Sequence, residues 1–325
     1  KCPMLDDNGL CEIHKNLGED YLGVVCKQFP RYSEYYGTIK ESGIGLACEE
    51  AARIILSENR PFSMETAACD EEYEPSSEYD SSFALQIFAA REAVFKILAK
   101  ESLSIHEKLI VILDMGSKIQ QCINTDEYDN IKSVVNDYLK EGIAHTLDET
   151  RNLSDSGQFE DISLQQGIRQ ILYPYEEMEV LNPEWEVILK DIIDSLFEQM
   201  SDEEYNILNE EFGTYMVSRA YEYRQLLEYF VFRYFAKSIY DYDFLGKCQM
   251  LVTNFFVIRQ MDIIRWLDNH REYSFKDRMD VVHIFSRQVE YSEDNIENLY
   301  EDFIFDDIFK TDSLIAILWI DSENI

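Results

Sequence analysis

Cys2, Cys11, Cys26 and Cys48 are the residues of this chain whose type and spacing could do chemistry first. They are separated by eight, fourteen and twenty-one residues, with no Cys-x-x-Cys pair, so no standard zinc finger is written here. Widely spaced thiols in turn-forming sequence suit a metal or iron–sulfur site, where soft thiolates converge from several loops on one centre. The bland alternative is four small buried hydrophobes. A second constellation is His283, Arg287 and Glu290, at i, i+4 and i+7 on one helix face, with Val282, Phe285 and Val289 opposite. That stripe reads either as a site-facing polar row or as the wet face of an amphipathic helix.

The cysteines lie in a head of turns and short elements. Six of the twelve glycines fall within the first 45 residues, and Pro3 and Pro30 add to them. Through Arg60 the head carries seven basic and ten acidic residues, against a formal net charge of −35 for the whole chain. It closes on a helix, with Glu49 and Glu50 in the first turn and Ala51, Ala52, Ile54, Ile55 and Leu56 continuing it. Cys48 opens that helix.

An acidic linker at 61–80 follows, containing Pro61, Pro75 and Cys69, and residues 81–325 read as an α-helical domain. Ser81 or Ser82 is expected to cap a helix with Phe83, Ile87, Ala90, Val94 and Leu98 on one face. Helical stretches are expected over 104–122 and 127–141. The segment from Glu141 to Pro183 reads as less regular, with a loop at Asn152 to Glu160. Asn182 and Pro183 cap the next helix, and no proline occurs after them, which permits long helices to the end. Tyr215 to Lys237 and Cys248 to Asn269 read as its buried centre. No alternating run is long enough to build a sheet. The fold class expected is therefore mainly α, a small loop-rich cysteine-containing head followed by a large all-α helical body.

Composition excludes some functions. So acidic a chain repels phosphate backbones, and without a basic patch it is not expected to bind nucleic acid. Its apolar runs fall short of the ~20 residues that span a bilayer. Seven cysteines, an odd number, point to reduced thiols in a cytoplasm rather than to a disulfide framework. The chain opens on Lys1, so an upstream piece is expected to be absent. The run Leu109 to Leu113 followed by Asp114-Met115-Gly116 imitates a nucleotide-binding loop, but further glycines and a β-α alternation are lacking, and a helix is expected.

The head resembles the flagellin lysine N-methylase family. The resemblance lies in Cys2-Pro3-Met4-Leu5, Gly9-Leu10-Cys11-Glu12-Ile13-His14-Lys15, Leu17-Gly18-Glu19-Asp20-Tyr21-Leu22, Phe29-Pro30-Arg31 after Cys26, and Cys48-Glu49-Glu50-Ala51-Ala52-Arg53. It returns in Leu226 to Tyr234 and in His283 to Ser292. The resemblance implies a protein-lysine N-methyltransferase acting on flagellin or another lysine-bearing protein, with S-adenosylmethionine and an iron–sulfur cluster, [4Fe–4S], as cofactors. It implies metal ligation by Cys2, Cys11, Cys26 and Cys48, cofactor binding by Arg31, Tyr229 and Arg233, and catalytic roles for His283, Arg287 and Glu290. Two departures stand out: a paired-cysteine motif expected upstream of Cys2 is missing, and Tyr291 occupies a position where histidine is expected. The alternative to an enzyme is a non-catalytic, metal-stapled helical interaction module.

Overall fold

The computed structural model describes residues 2–68, 80–155 and 162–323. Cys69, the acidic part of the linker and the second half of the Asn152 to Glu160 loop lie outside them. The head contains α1 (Glu12–Leu17), α2 (Val24–Gln28), a β-hairpin of β1 (Arg31–Tyr36) and β2 (Ile39–Ile44), and α3 (Glu49–Leu56). The hairpin corrects the expectation of no sheet. Its antiparallel register pairs Tyr36 with Ile39 and Arg31 with Ile44, across a two-residue turn of Gly37-Thr38 with Gly37 at φ +60°. Glycine at the first turn position takes the positive φ that closes such a hairpin without steric cost, and the turn then matches the right-handed twist of the strands. The strands are short and mixed in polarity because one face rests on the body and the edges stay wet.

Among the described residues the body is built of helices: α4 (Ser81–Leu98), α5 (Ile105–Asn124), α6 (Ile131–Asp137), α7 (Ile143–Asp155), α8 (Leu164–Glu176), α9 (Pro183–Ile192), α10 (Asp202–Met216), α11 (Ala220–Tyr234), α12 (Ser238–Asp241), α13 (Phe244–Asp268), α14 (Phe275–Val289), α15 (Glu293–Phe305) and α16 (Thr311–Glu323). The mainly α fold class therefore holds. Capping follows local chemistry. Asp80, not Ser81 or Ser82, caps α4 by accepting from the Ser82 and Phe83 amides at 2.8 and 3.1 Å. Asn182 caps α9 with Pro183 at the first helical position, as expected. Such caps each contribute about 1 kcal/mol.

The stretch from Glu141 to Pro183 is more regular than its sequence suggested, since it holds α7 and α8. In α8, Leu164, Ile168, Ile171, Leu172 and Tyr175 form the buried face. The expected Tyr215 to Lys237 helix is broken by a turn of 3-10 helix at Val217–Arg219 before α11 begins. The Asp-x-Gly run is helical, inside α5. Gly116 there serves packing: a Cβ would stand 2.5 Å from the Cys248 sulfur on α13.

Helix α13 is buried around nearly its whole circumference and runs through the centre, packed by α5, α8, α9, α11 and α14. Such all-round burial is why its sequence shows so little amphipathic contrast. The head rests on this bundle through α3, which packs on α11 and α14. Lys237 pairs with Glu34 at 3.0 Å, and the Tyr240 hydroxyl donates to the Tyr35 carbonyl at 2.6 Å. Arg91 on α4 pairs with Glu41 on β2. Among the described residues no helix is long and apolar enough to cross a membrane.

Candidate functional site

Helices α11 and α14 carry the candidate residues, and a buried ionic cluster sets where they lie. Asp262 on α13 accepts from the Arg278 guanidinium and the Tyr223 hydroxyl, both at 2.6 Å, and from Tyr273. Glu222 on α11 accepts from Arg278 at 3.0 Å and from Arg219 at 2.7 Å. Arg278 and Asp262 are both fully buried. Burial pushes the Asp262 carboxyl up from its ordinary value, while Arg278 opposes that rise. A buried arginine held by two carboxylates from different helices tolerates little movement, because losing either partner strands a charge away from water. The start of α14 is thereby pinned to α11 and α13.

At the other end of α14 stands Glu290, which is buried. The Tyr229 hydroxyl donates to its two oxygens at 3.0 and 3.2 Å, and the Tyr234 hydroxyl donates at 2.9 Å. Ser286, one turn earlier, donates to the other side of the carboxylate. The Arg233 Nε lies 3.0 Å from Glu290 Oε1. Burial works against the charge on Arg233, but Glu290 and the neighbouring tyrosines outweigh it and hold the guanidinium firmly protonated. Burial, then the charge of Glu290, raises Tyr229 and Tyr234 well above the usual phenol range. Neither phenol can serve as a base near neutral pH.

The head closes over this cluster. The Leu46 amide donates to the Tyr229 hydroxyl at 3.4 Å, and the Arg233 guanidinium sits 4.5 Å above the Tyr32 ring. Gly45 is held by the Pro30 carbonyl at 2.8 Å. A Cβ there would meet the Arg233 Nη1 and the Tyr291 hydroxyl at 3.4 Å, so head and body approach closely at this glycine.

The row His283, Arg287 and Glu290 does not act as one face. Helix α14 ends at Val289, and Glu290 turns inward to Ser286, Tyr229 and Arg233. His283 and Arg287 instead line a cleft of about 1030 Å³ between head and body, together with Cys48, Arg53 and Tyr291. His283 hydrogen-bonds to the Ala47 backbone, and its Nδ1 is buried with no hydrogen-bond partner. Burial and, after it, the positive charge of Arg287 lower the His283 pKa below the ordinary imidazole value. An adjoining cleft of about 560 Å³ shares His283 and Arg287 and adds Glu49, Glu184 and Asp280.

The proposed cofactor trio divides as well. Tyr229 and Arg233 belong to the Glu290 cluster, whereas Arg31 opens β1 with its side chain exposed, donating to the Lys27 carbonyl at 3.5 Å. Cys48 half-faces the larger cleft, and the Leu5 to Gly9 loop between Cys2 and Cys11 borders it. Cys2 and Cys26 are exposed and Cys11 is half-buried. Among the described residues no three cysteine, histidine or acidic side chains stand close enough to hold a metal ion. The four thiols in this arrangement do not fit a closed cluster cage. Tyr32, Gly45 and Ser286 were not singled out from the sequence. Only their places in the head and in the C-terminal signature His283 to Ser292 could have pointed to them.

A family model described as the FliB lysine N-methylase C-terminal domain matches residues 91–317. The flagellar biosynthetic protein FliU of Salmonella muenchen is 37% identical over 57 residues, 18% of this chain and 34% of that protein. A lysine-N-methylase of Salmonella typhimurium is likewise 37% identical over 57 residues, 18% of this chain and 14% of that protein. The matched segment thus spans about a third of the first relative and about a seventh of the second. No solved structure matches the chain.

Proposed function

The chain belongs to the FliB lysine N-methylase C-terminal domain family, and from that premise we propose that it methylates lysine side chains of a protein, flagellin foremost, with S-adenosylmethionine as donor. The observation that carries the proposal is that the family match covers α11 and α14, whose Tyr229, Arg233, Glu290, His283 and Arg287 meet the head at one junction. The donor supplies an electrophilic methyl group. The reaction forms a bond from the lysine nitrogen to the methyl carbon, breaks the carbon–sulfur bond and leaves the sulfur as a neutral thioether.

Lysine attacks only as the free amine. Removing its proton at pH 7 from a pKa of ~10.4 costs about 4.6 kcal/mol. His283, which lines the cleft, is the candidate to take that proton, and its lowered pKa keeps the imidazole neutral at pH 7. Arg287 lies beside it and disfavours positive charge on the lysine and on the imidazole alike, which favours the free amine but weakens His283 as a proton acceptor. Glu49, Glu184 and Asp280 offset that repulsion by drawing the lysine ammonium into the adjoining cleft. Glu290 and Arg233 act as positioning residues, because both are already committed to each other and to tyrosines.

A formal net charge of −35 favours a lysine-bearing partner over a nucleic acid. The reduced thiols suit a cytoplasmic setting. The iron–sulfur centre implied by the resemblance is a separate question, since the thiols would have to move together to hold it. Iron and sulfide well below one cluster per chain after anaerobic reconstitution would remove it. The activity itself is tested by incubating the chain with flagellin and the donor and weighing the product. Mass increments of one methyl group on lysine are expected, and none with either fresh or reconstituted protein would refute the proposal.

A further inference from the structure

A separate cavity of about 330 Å³ borders Tyr229 and shares no lining residue with the His283 cleft. One wall is a stripe of α11. Gln225, Glu228, Tyr229 and Phe232 fall at i, i+3, i+4 and i+7, so they share a helix face. Tyr32 and Phe62 line the cavity as well. A Cβ at Gly43 would come within 2.6 Å of the Tyr32 ring, so glycine there lets the ring lie flat along β2. Phe62 is stacked on Phe95 at 4.2 Å and rests 5.8 Å from Phe232, which fixes its plane.

The polar groups that α11 brings to this cavity are acceptors, while Arg60, Ser63 and Glu65 line it as well. Gln225 is 5% exposed, and its Nε2 donates to the Glu58 carbonyl at 2.6 Å, which settles the orientation of its amide. Its Oε1 is buried without a partner. A buried carbonyl left unpaired forgoes its hydration for nothing in return, and a ligand donor would relieve that cost. Glu228, 3% exposed, pairs through Oε1 with Arg224 at 2.7 Å. Because Arg224 already balances its charge, Glu228 offers a hydrogen-bond acceptor more than a cation trap. Flat aromatic walls beside two neighbouring acceptors match a ligand with a planar ring and adjacent hydroxyl donors. A carboxylate that accepts from sugar hydroxyls while the base packs on apolar surface is how other folds hold nucleosides.

We infer that this cavity binds a nucleoside, its base against Phe62 and Phe232 and its sugar hydroxyls on Gln225 and Glu228. Naming S-adenosylmethionine as the molecule that brings the nucleoside rests on the function proposed above; the nucleoside site itself does not. Tyr229 joins the cavity to the Glu290 cluster: it lines the cavity, and its hydroxyl is bound to Glu290.

The test is calorimetric titration of the full chain with adenosine and with S-adenosylhomocysteine, for the wild type and for Glu228→Gln, Gln225→Leu and Ile55→Phe. Ile55 also lines the cavity, so the last variant fills it without touching the acceptors. Thermal melts identify any variant that fails to fold, and Ile55→Phe and Gln225→Leu serve independently of each other. Each change is expected to weaken binding of both probes by roughly tenfold or more. Saturable adenosine binding that all three folded variants retain would overturn the site, as would no adenosine binding by the wild type. Methyl transfer to flagellin, measured separately, decides the proposed function whichever way the adenosine result falls. Flagellin methylation with an unchanged donor KM in the three variants would refute this site and leave that function standing.

Discussion

Tyr229 on α11 donates to Glu290 beyond α14 at 3.0 Å, and the same phenolic oxygen accepts the Leu46 amide of the head at 3.4 Å. One hydroxyl therefore ties three parts of the chain together. Removing Glu290 should be costly for a simple reason: Arg233, mostly buried, would keep its charge and lose its counter-ion. Glu290→Ala is expected to lower unfolding free energy by about 3–5 kcal/mol, measured by urea denaturation. Pairing it with Arg233→Met should recover most of that loss. If the single variant unfolds at the wild-type midpoint, the cluster is not what joins head and body.

Asp321 on α16 predicts an acid dependence. It is 1% exposed, lies 2.6 Å from the His106 Nε2 and accepts from Asn209 at 2.5 Å. Burial alone would raise its carboxyl, but Arg259 and His106 bring it down to about 2. A depressed folded-state pKa means that the unfolded chain takes up the proton first as pH falls. The contribution is complete above about pH 4 and is lost as pH drops through 2. It amounts to about 2 kcal/mol. The stability gap between wild type and Asp321→Asn should therefore be wide at pH 5 and close near pH 2, and a gap independent of pH would contradict this account.

Gly116 offers a packing test. An alanine there would put its Cβ 2.5 Å from the Cys248 sulfur, deep between α5 and α13. Overpacking of this kind costs roughly 1–3 kcal/mol. Gly116→Ala should lower the melting temperature, and adding Cys248→Ala should restore much of it by making room. Lack of rescue would mean that the two helices are not in contact as described.

His283 gives a spectroscopic prediction. Its C2 proton should titrate below the ordinary imidazole pKa, because burial and Arg287 both disfavour the cation. Replacing Arg287 with alanine removes the second cause and should move the midpoint upward in an NMR titration. A midpoint that does not move would argue against His283 and Arg287 sharing a cleft.

Local signals in the chain were enough for the helical class. Prolines mark helix starts, as at Pro183, and periodic apolar residues mark faces, as in α4. Both depend on residues a few positions apart, which is why they can be read without a fold. The hairpin escaped because strands of six residues, pressed on a body at one face and wet at the edges, show no clean alternation. Helix α8 escaped similarly, with Pro174 inside it obscuring a sound amphipathic pattern.

The candidate site divides along the same line. Cys48, His283, Arg287, Glu290, Tyr229 and Arg233 were all visible as residues of interest from local context and from family resemblance. Which of them meet was not visible, because Tyr229 and Glu290 are 61 positions apart and Leu46 is 183 positions from Tyr229. Helix spacing placed Glu290 on the His283 face, but the end of α14 and the donors of α11 turned it into the core. Spacing likewise suggested that the head thiols converge, whereas of the four only Cys48 lines the cleft, and Cys2 and Cys26 are exposed. Sequence determined what kinds of groups the chain holds and on which helices. Tertiary structure decided their partners, since hydrogen bonds and burial depend on distances that only the packed chain sets.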